Sequence, residues 1–174
     1  MATHDAAQRI AWAVELMRIA PTDRVLEIGC GHGVAVTLIC EQLDGGNVLA
    51  IDRSQKMIDA ATRRNAGAVR DGVAAFETAD LSSANLGSAT FDKVLAIHVP
   101  VLLRGDPWRE LAIIRRSLAP GGRLYISGHP LDPTTTDTDL PRLAAELSTA
   151  GFDVVETPIA ELPIGRVFAV VGER

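Results

Sequence analysis

Val25-Leu26-Glu27-Ile28-Gly29-Cys30-Gly31-His32-Gly33 decides how the rest of this chain is read. A short apolar run breaks into glycines at every second position. A helical period follows, with Val34, Leu38, Ile39 and Leu43 on one face of residues 33–43. A strand that turns through glycine into a helix is the opening of a βαβ unit. The glycines let the backbone turn tightly and leave no Cβ between it and a ligand. Open parallel sheets bind ligands at such strand ends. The spacing is GxGxG, not the GxGxxG that commonly holds a pyrophosphate. Glu27, two residues before the first glycine, is poorly placed for a polyanion and suited to a cationic ligand, directly or through water.

Outward from this turn the chain alternates between helical and strand periods. Residues 5–20 predict an amphipathic helix with Ile10, Ala13, Val14 and Met17 on one face, stopped by Pro21. Strands are expected at 47–51, 73–78, 91–97 and 123–127. Helices are expected at 54–70, with Ser54 as N-cap, at 106–118, and at 140–150. Residues 81–90 predict loop or a short helix, 99–107 a loop, and 128–137 a Pro/Thr-rich loop. Two strands, 152–156 and 166–171, close the chain with little between them, which predicts an antiparallel hairpin on a mostly parallel α/β sheet.

The 174 residues predict one domain, 1–174. Apolar residues make up 47% and charged residues 22%, the balance of a globular protein with a full core. No apolar run is long enough to cross a membrane, and the N-terminus lacks the pattern of a signal peptide, so a cytoplasmic location and no membrane partner are expected. Net charge is −5 and only seven residues are aromatic (two Trp, one Tyr, four Phe), which disfavours a nucleic-acid partner. The basic pairs Arg63-Arg64 and Arg115-Arg116 fall in helical patterns and are expected to be solvated faces. Cys30 and Cys40 belong to no zinc-type cluster, so no metal is expected.

Two carboxylates extend the glycine signal. Asp52, at the end of the second strand in Ala50-Ile51-Asp52-Arg53-Ser54, is placed to accept both hydroxyls of a ribose. Alternatively it only starts the next helix. Asp80, after the third strand, is placed to accept an exocyclic amine of adenine while its neighbours pack on the ring; otherwise it is a turn residue.

With these residues in view, the chain resembles the class I, Rossmann-like S-adenosylmethionine-dependent methyltransferases from about Val25 to Val171. The matching stretches are VLEIGCGHG, AIDRS with Met57 following, the Ala79-Asp80 pair, FDKVLAI and LAPGGRLYIS. The resemblance implies a three-layer sheet of seven strands in the order 3-2-1-4-5-7-6. It implies S-adenosylmethionine as cofactor, with Gly29, Gly31 and Gly33 along its methionine and ribose portion. Glu27, Cys30, Asp52, Arg53, Met57, Asp80 and Leu81 complete the binding set, with Met57, Asp80 and Leu81 at the adenine. Ala96 to His98 would pass beneath the methionine and sulfonium, and the helix within 1–20 would cover the site.

Methyl transfer is an in-line displacement at a carbon already activated by the sulfonium. Positioning matters most, and a base only where the nucleophile must lose a proton. The acceptor is expected over Ile97-His98-Val99-Pro100-Val101, which lacks the Asn/Asp-Pro-Pro-aromatic pattern of amino-methyltransferases and the acidic pair of metal-dependent catechol enzymes. His98 is the first candidate base and His129 the second. His32 more simply shapes the turn, and Tyr125 belongs to the core. The expected activity is methylation of a small-molecule oxygen or nitrogen, with a homodimer as a way to complete a thin acceptor pocket. The competing expectations are a cofactor-binding domain without catalysis and a nicotinamide-dependent oxidoreductase. The GxGxG spacing and the lack of a hydride-transfer pair disfavour the latter.

Overall fold

The computed structural model describes residues 2–86, 88, 90–129 and 136–174, with side chains from residue 7 onward. Along the chain run α1 (Ala2–Leu16), β1 (Arg24–Ile28), α2 (Val34–Cys40), β2 (Asn47–Asp52), α3 (Gln55–Arg64), α4 (Ala66–Arg70), β3 (Ala74–Thr78) and β4 (Phe91–Ile97). They are followed by α5 (Pro100–Arg104), α6 (Trp108–Ser117), β5 (Leu118–Gly128), α7 (Thr136–Thr149), β6 (Asp153–Glu156), β7 (Ile159–Leu162) and β8 (Gly165–Glu173).

The strands form one sheet in the order β3-β2-β1-β4-β5-β8-β6, with β7 also paired to β8. The first five are mutually parallel, and β8 runs antiparallel between β5 and β6. That is the expected doubly wound α/β architecture, with one addition. The outer edge is two short strands instead of one: β6 pairs with the C-terminal part of β8 and β7 with its N-terminal part. A register shift after Val154 and Pro158, which has no N–H to donate, divide them. The Pro158 carbonyl still accepts from the Ala169 amide at 2.9 Å. The eighth strand lies in the segment expected to hold little.

Strand pleating sorts the core into two layers. Val25, Val48, Ala50, Leu95 and Tyr125 meet α1, α2 and α3 on one face. Leu26, Ile28, Ile51, Val94, Ala96 and Ile126 meet α5, α6 and α7 on the other. Strands buried on both faces read as continuous apolar runs, which is why VLEI and VLAI stood out.

Several boundaries differ from expectation for local reasons. The helix expected over 54–70 divides at Asn65, whose side-chain amide donates to the carbonyls of Gly33 and Ala61 at 3.0 Å each. A short helix, α5, occupies part of the expected loop 99–107, with Pro100 in its first turn. β5 begins at Leu118, earlier than expected, and pairs Phe91 with Leu118 before a register shift carries it past Gly121 and Gly122. Tyr125 is core, as expected, and its hydroxyl donates to the Met17 carbonyl at 3.3 Å. Of the expected loop 128–137, residues 130–135 lie outside the described residues.

Candidate functional site

The glycine turn leaves β1 by crossing the end of β2. The amides of Gly29 and Cys30 both donate to the Ile51 carbonyl, at 2.8 and 3.1 Å. Gly29, Gly31 and Gly33 take φ of +72°, +52° and +73°, the left-handed region that costs L side chains most. Their surroundings differ. A Cβ on Gly31 would meet nothing within 4 Å, so its backbone is open to a ligand. A Cβ on Gly33 would lie 2.7 Å from Asn65 Nδ2 and 2.8 Å from Ala61 Cβ. Gly33 thus serves close packing against α3 and is not among the residues that line the cavity.

Asp52 ties the turn to the next one. Its Oδ2 accepts from the Gly31 amide and its Oδ1 from the Ser54 amide, each at 2.9 Å. The carboxylate therefore holds the open stretch of the turn while facing the cavity. Asp80 is organised likewise: Oδ1 accepts from the Ser82 amide at 2.9 Å and the Ser82 hydroxyl at 2.6 Å. These bonds, with a smaller contribution from the Arg53 charge, hold its carboxyl below the usual range. No described bond engages Oδ2.

A cavity of about 480 Å³ opens at the C-terminal ends of β1 to β4. Gly29, Asp52, Arg53, Asp80, Leu81 and His98 line it. The Val99-Pro100-Val101 entry to α5, within the stretch where the acceptor is expected, also lines it, while sequence reasoning missed four of its walls: Ile28, Ile51, Ser82 and Glu110 on α6. The first two were legible only as core. Ser82 could have been found as the partner of Asp80, and Glu110 carried no signal.

Besides Gly33, five expected cofactor residues stand outside this lining. Met57 is half-buried on α3 and Ala96 is buried in the core, and neither lines the cavity. Gly31 flanks it through its bond to Asp52. Cys30 is buried below the turn, and burial with the charges of Glu27 and Asp52 pushes its thiol up to about 12, so it is unreactive. Glu27 follows the pleat to the α2 side of the sheet with Val25, away from the cavity. Burial first, and the Asp52 charge second, push its carboxyl up to about 8, against the backbone N–H of Val36. Its Oε2 has no partner.

His98 closes the cavity where β4 ends. Its amide donates to the Ser127 carbonyl at 3.0 Å, and its φ of +55° turns the chain sharply out of the strand. Histidine is among the residues that tolerate this region. Burial, followed by the charge of Arg9 and smaller effects of His129 and Arg104, pushes the imidazole down to about 4, so it is neutral near pH 7. Its buried Nε2 has no partner. His129 stands 6.3 Å away between ring centroids, edge to face. Its Nε2 is 3.0 Å from the Ile164 carbonyl, which makes that nitrogen the donor and tethers the ring outside the cavity lining. Among the described residues no cluster of side chains is arranged to hold a metal ion, and no helix is long and apolar enough to cross a membrane.

Residues 26–124, more than half of the chain, match the family described as methyltransferase domain. An O-methyltransferase of Pyrenophora dematioidea is 31% identical over 71% of this chain and 45% of its own length. The ribosomal RNA large subunit methyltransferase G of Streptomyces avermitilis is 30% identical over 66% of this chain and 30% of its own. This chain thus spans less than half the length of either. Among solved structures, magnesium protoporphyrin IX methyltransferase of Synechocystis superposes with a TM-score of 0.77 at 19% identity, covering 98% of this chain and 84% of that one. With the sheet order and the glycine turn already described, the chain belongs to the methyltransferase domain family, in its class I, Rossmann-like form that uses S-adenosylmethionine.

Proposed function

We propose that this chain transfers a methyl group to an oxygen or nitrogen of a small molecule. The observation that carries this reading is the meeting of Gly29, Asp52, Asp80 and His98 on one cavity. Three of them suit successive parts of a nucleoside with an amino-acid tail, and the fourth is a neutral base at the far end. When bound, S-adenosylmethionine supplies a methyl group activated by its sulfonium. The open backbone at Gly31 accommodates the ligand without a Cβ in the way. Asp52 accepts from ribose hydroxyls while keeping its bonds to the turn. Asp80 Oδ2 accepts from the adenine amine, with Leu81 against the ring. Glu27 acts one layer down, as a buried carboxyl whose ionisation follows the charge placed on the turn.

His98 takes the proton of a hydroxyl or amine acceptor as the new bond forms. A neutral imidazole with an unpartnered Nε2 is ready to do so at pH 7 without first losing a proton. We read 1–174 as a single domain with α1 covering the site, a reading supported by the packing of α1 on α2, the helix that follows the glycine turn. A net charge of −5 supports a small acceptor over a nucleic acid. A second copy of the chain remains our proposal for completing the acceptor pocket.

Calorimetry with S-adenosylhomocysteine tests the core of this reading. Binding is expected for wild type, weakened by about 1–3 kcal/mol in Asp52→Asn through lost charge-assisted bonds. Equal affinity in the variant would remove the ribose assignment. Binding without turnover on any small hydroxyl or amine acceptor would leave a cofactor-binding domain.

A further inference from the structure

The glycine turn is held from both ends of α3. Ahead of the helix, Asp52 Oδ2 accepts from the Gly31 amide at 2.9 Å. At its last residue, Arg64 Nε donates to the His32 carbonyl at 2.9 Å. Asn65, next along, donates from Nδ2 to the Gly33 carbonyl at 3.0 Å, and its Oδ1 accepts from the Thr37 hydroxyl at 2.7 Å. Two consecutive carbonyls of the turn are thus bonded by two consecutive residues where α3 gives way to α4. Of the basic pair Arg63-Arg64, expected as a solvated face, one member is committed to the turn.

A peptide group is planar, so a bond at its carbonyl also fixes the amide on its other side. The Cys30–Gly31 peptide is held twice, by Asp52 at its N–H and by the Gly33 amide, which donates to its carbonyl at 2.9 Å. The His32–Gly33 peptide is held twice as well, through that Gly33 N–H and through Arg64 at its carbonyl. Between these two planes lies the Gly31–His32 peptide, at the backbone where a Cβ would meet nothing within 4 Å. Glycines lose more conformational freedom than other residues when a turn is ordered. A ligand meeting a loose turn bears that cost, and one meeting a fixed turn does not. Asn65 is only 6% exposed and touches the Gly33 position, so the packing itself requires it. Arg64 is exposed and makes no ion pair among the described residues. Holding so long a side chain against a surface carbonyl costs rotamer entropy and adds little to global stability. Its bond serves the turn and not the core.

We infer that Arg64 is a positioning residue for the cofactor: it fixes the His32–Gly33 peptide as Asp52 fixes Cys30–Gly31, and so holds the open backbone at Gly31 in the shape that receives the ligand. The inference rests on the S-adenosylmethionine reading only for what the turn holds. The bond requires an N–H at one depth of the side chain. Glutamine carries Nε2 the same number of bonds from Cα as the arginine Nε, and methionine places a methyl there. Both substitutions remove the charge, and both residues are good helix formers. The pair therefore separates the hydrogen bond from charge and from helix propensity.

Arg64→Gln and Arg64→Met are compared with wild type by calorimetry with S-adenosylhomocysteine, by thermal denaturation, and by NMR hydrogen exchange at the Gly33 amide of the free protein. Arg64→Met should weaken binding about three- to tenfold, the worth of one hydrogen bond, and speed Gly33 exchange by a similar factor. Arg64→Gln should stay within about twofold of wild type in both. Both variants should melt with wild type, since neither change reaches the core. Equal affinity in the two variants overturns the assignment, whether both match wild type or both fall, because the hydrogen bond then makes no difference. Weaker binding in Arg64→Met with a melting point lowered well below that of Arg64→Gln overturns it too, by making the bond a support of the fold. Failure of wild type to bind S-adenosylhomocysteine would sink the cofactor reading instead, and Gly33 exchange in the free proteins would still judge Arg64.

Discussion

Replacing Glu27 by Gln tests the electrostatics under the glycine turn. The carboxyl titrates near 4.5 in an unfolded chain and is pushed up to about 8 in the fold, first by burial and then by Asp52. Between those values the native state holds a proton that the unfolded chain has released. The contribution of Glu27 to stability is therefore complete below pH 4.5 and lost as pH rises through 8. Each pH unit in the window costs about 1.4 kcal/mol, so about 3 kcal/mol is gone by pH 7 and about 5 kcal/mol over the whole window. Glu27→Gln keeps a carbonyl oxygen for the Val36 amide and has nothing to titrate. Its amide nitrogen inherits the unpartnered position of Oε2, a cost of about 1–3 kcal/mol at every pH. The informative quantity is consequently the difference in slope. Urea denaturation followed by circular dichroism from pH 5 to 8 should show wild type losing ground to the variant by several kcal/mol across the range. Comparing the two proteins cancels the opposite contribution of His98, which both retain. Parallel stability curves would show that Glu27 is ionised in the native state and that the buried-carboxyl account is wrong.

The two inner glycines of the turn should separate stability from binding. Gly31→Ala has open space and pays mainly for its positive φ, about 1 kcal/mol; thermal denaturation should change little while S-adenosylhomocysteine affinity falls. Gly33→Ala drives a methyl into Asn65 and Ala61 and should lower stability by several kcal/mol; equal melting of the two variants would refute the division of roles. At His98, asparagine tolerates the same backbone, so His98→Asn should fold and lose about 10²–10⁴ in kcat on an acceptor that must be deprotonated. Because the folded imidazole lies near 4 and the unfolded one near 6.5, the unfolded chain binds the extra proton in that interval, and wild type loses stability as pH falls through it. Unchanged kcat in His98→Asn would leave His98 no role as base.

How far the linear order of residues reaches is clearest at particular positions. Apolar runs at β1, β2, β4 and β8, separated by helical periods, dictate a doubly wound sheet because only strands buried on both faces use such runs. The alternating glycines mark the turn, since a left-handed backbone has few other occupants. Asp52 and Asp80 were legible for the same reason: they stand at strand ends, whose place in a parallel sheet follows from topology. The division of the edge into β6 and β7 was not, because it depends on what β8 offers as a partner over its full length.

Local sequence also could not tell which glycine faces open space and which faces a helix. Gly31 and Gly33 are alike in the chain and differ only through Ala61 and Asn65, brought beneath one of them by the packing of α3. Backbone preferences and burial patterns are local and survive in one dimension. Proximity, desolvation and the summed field at an ionisable group exist only once distant segments have docked.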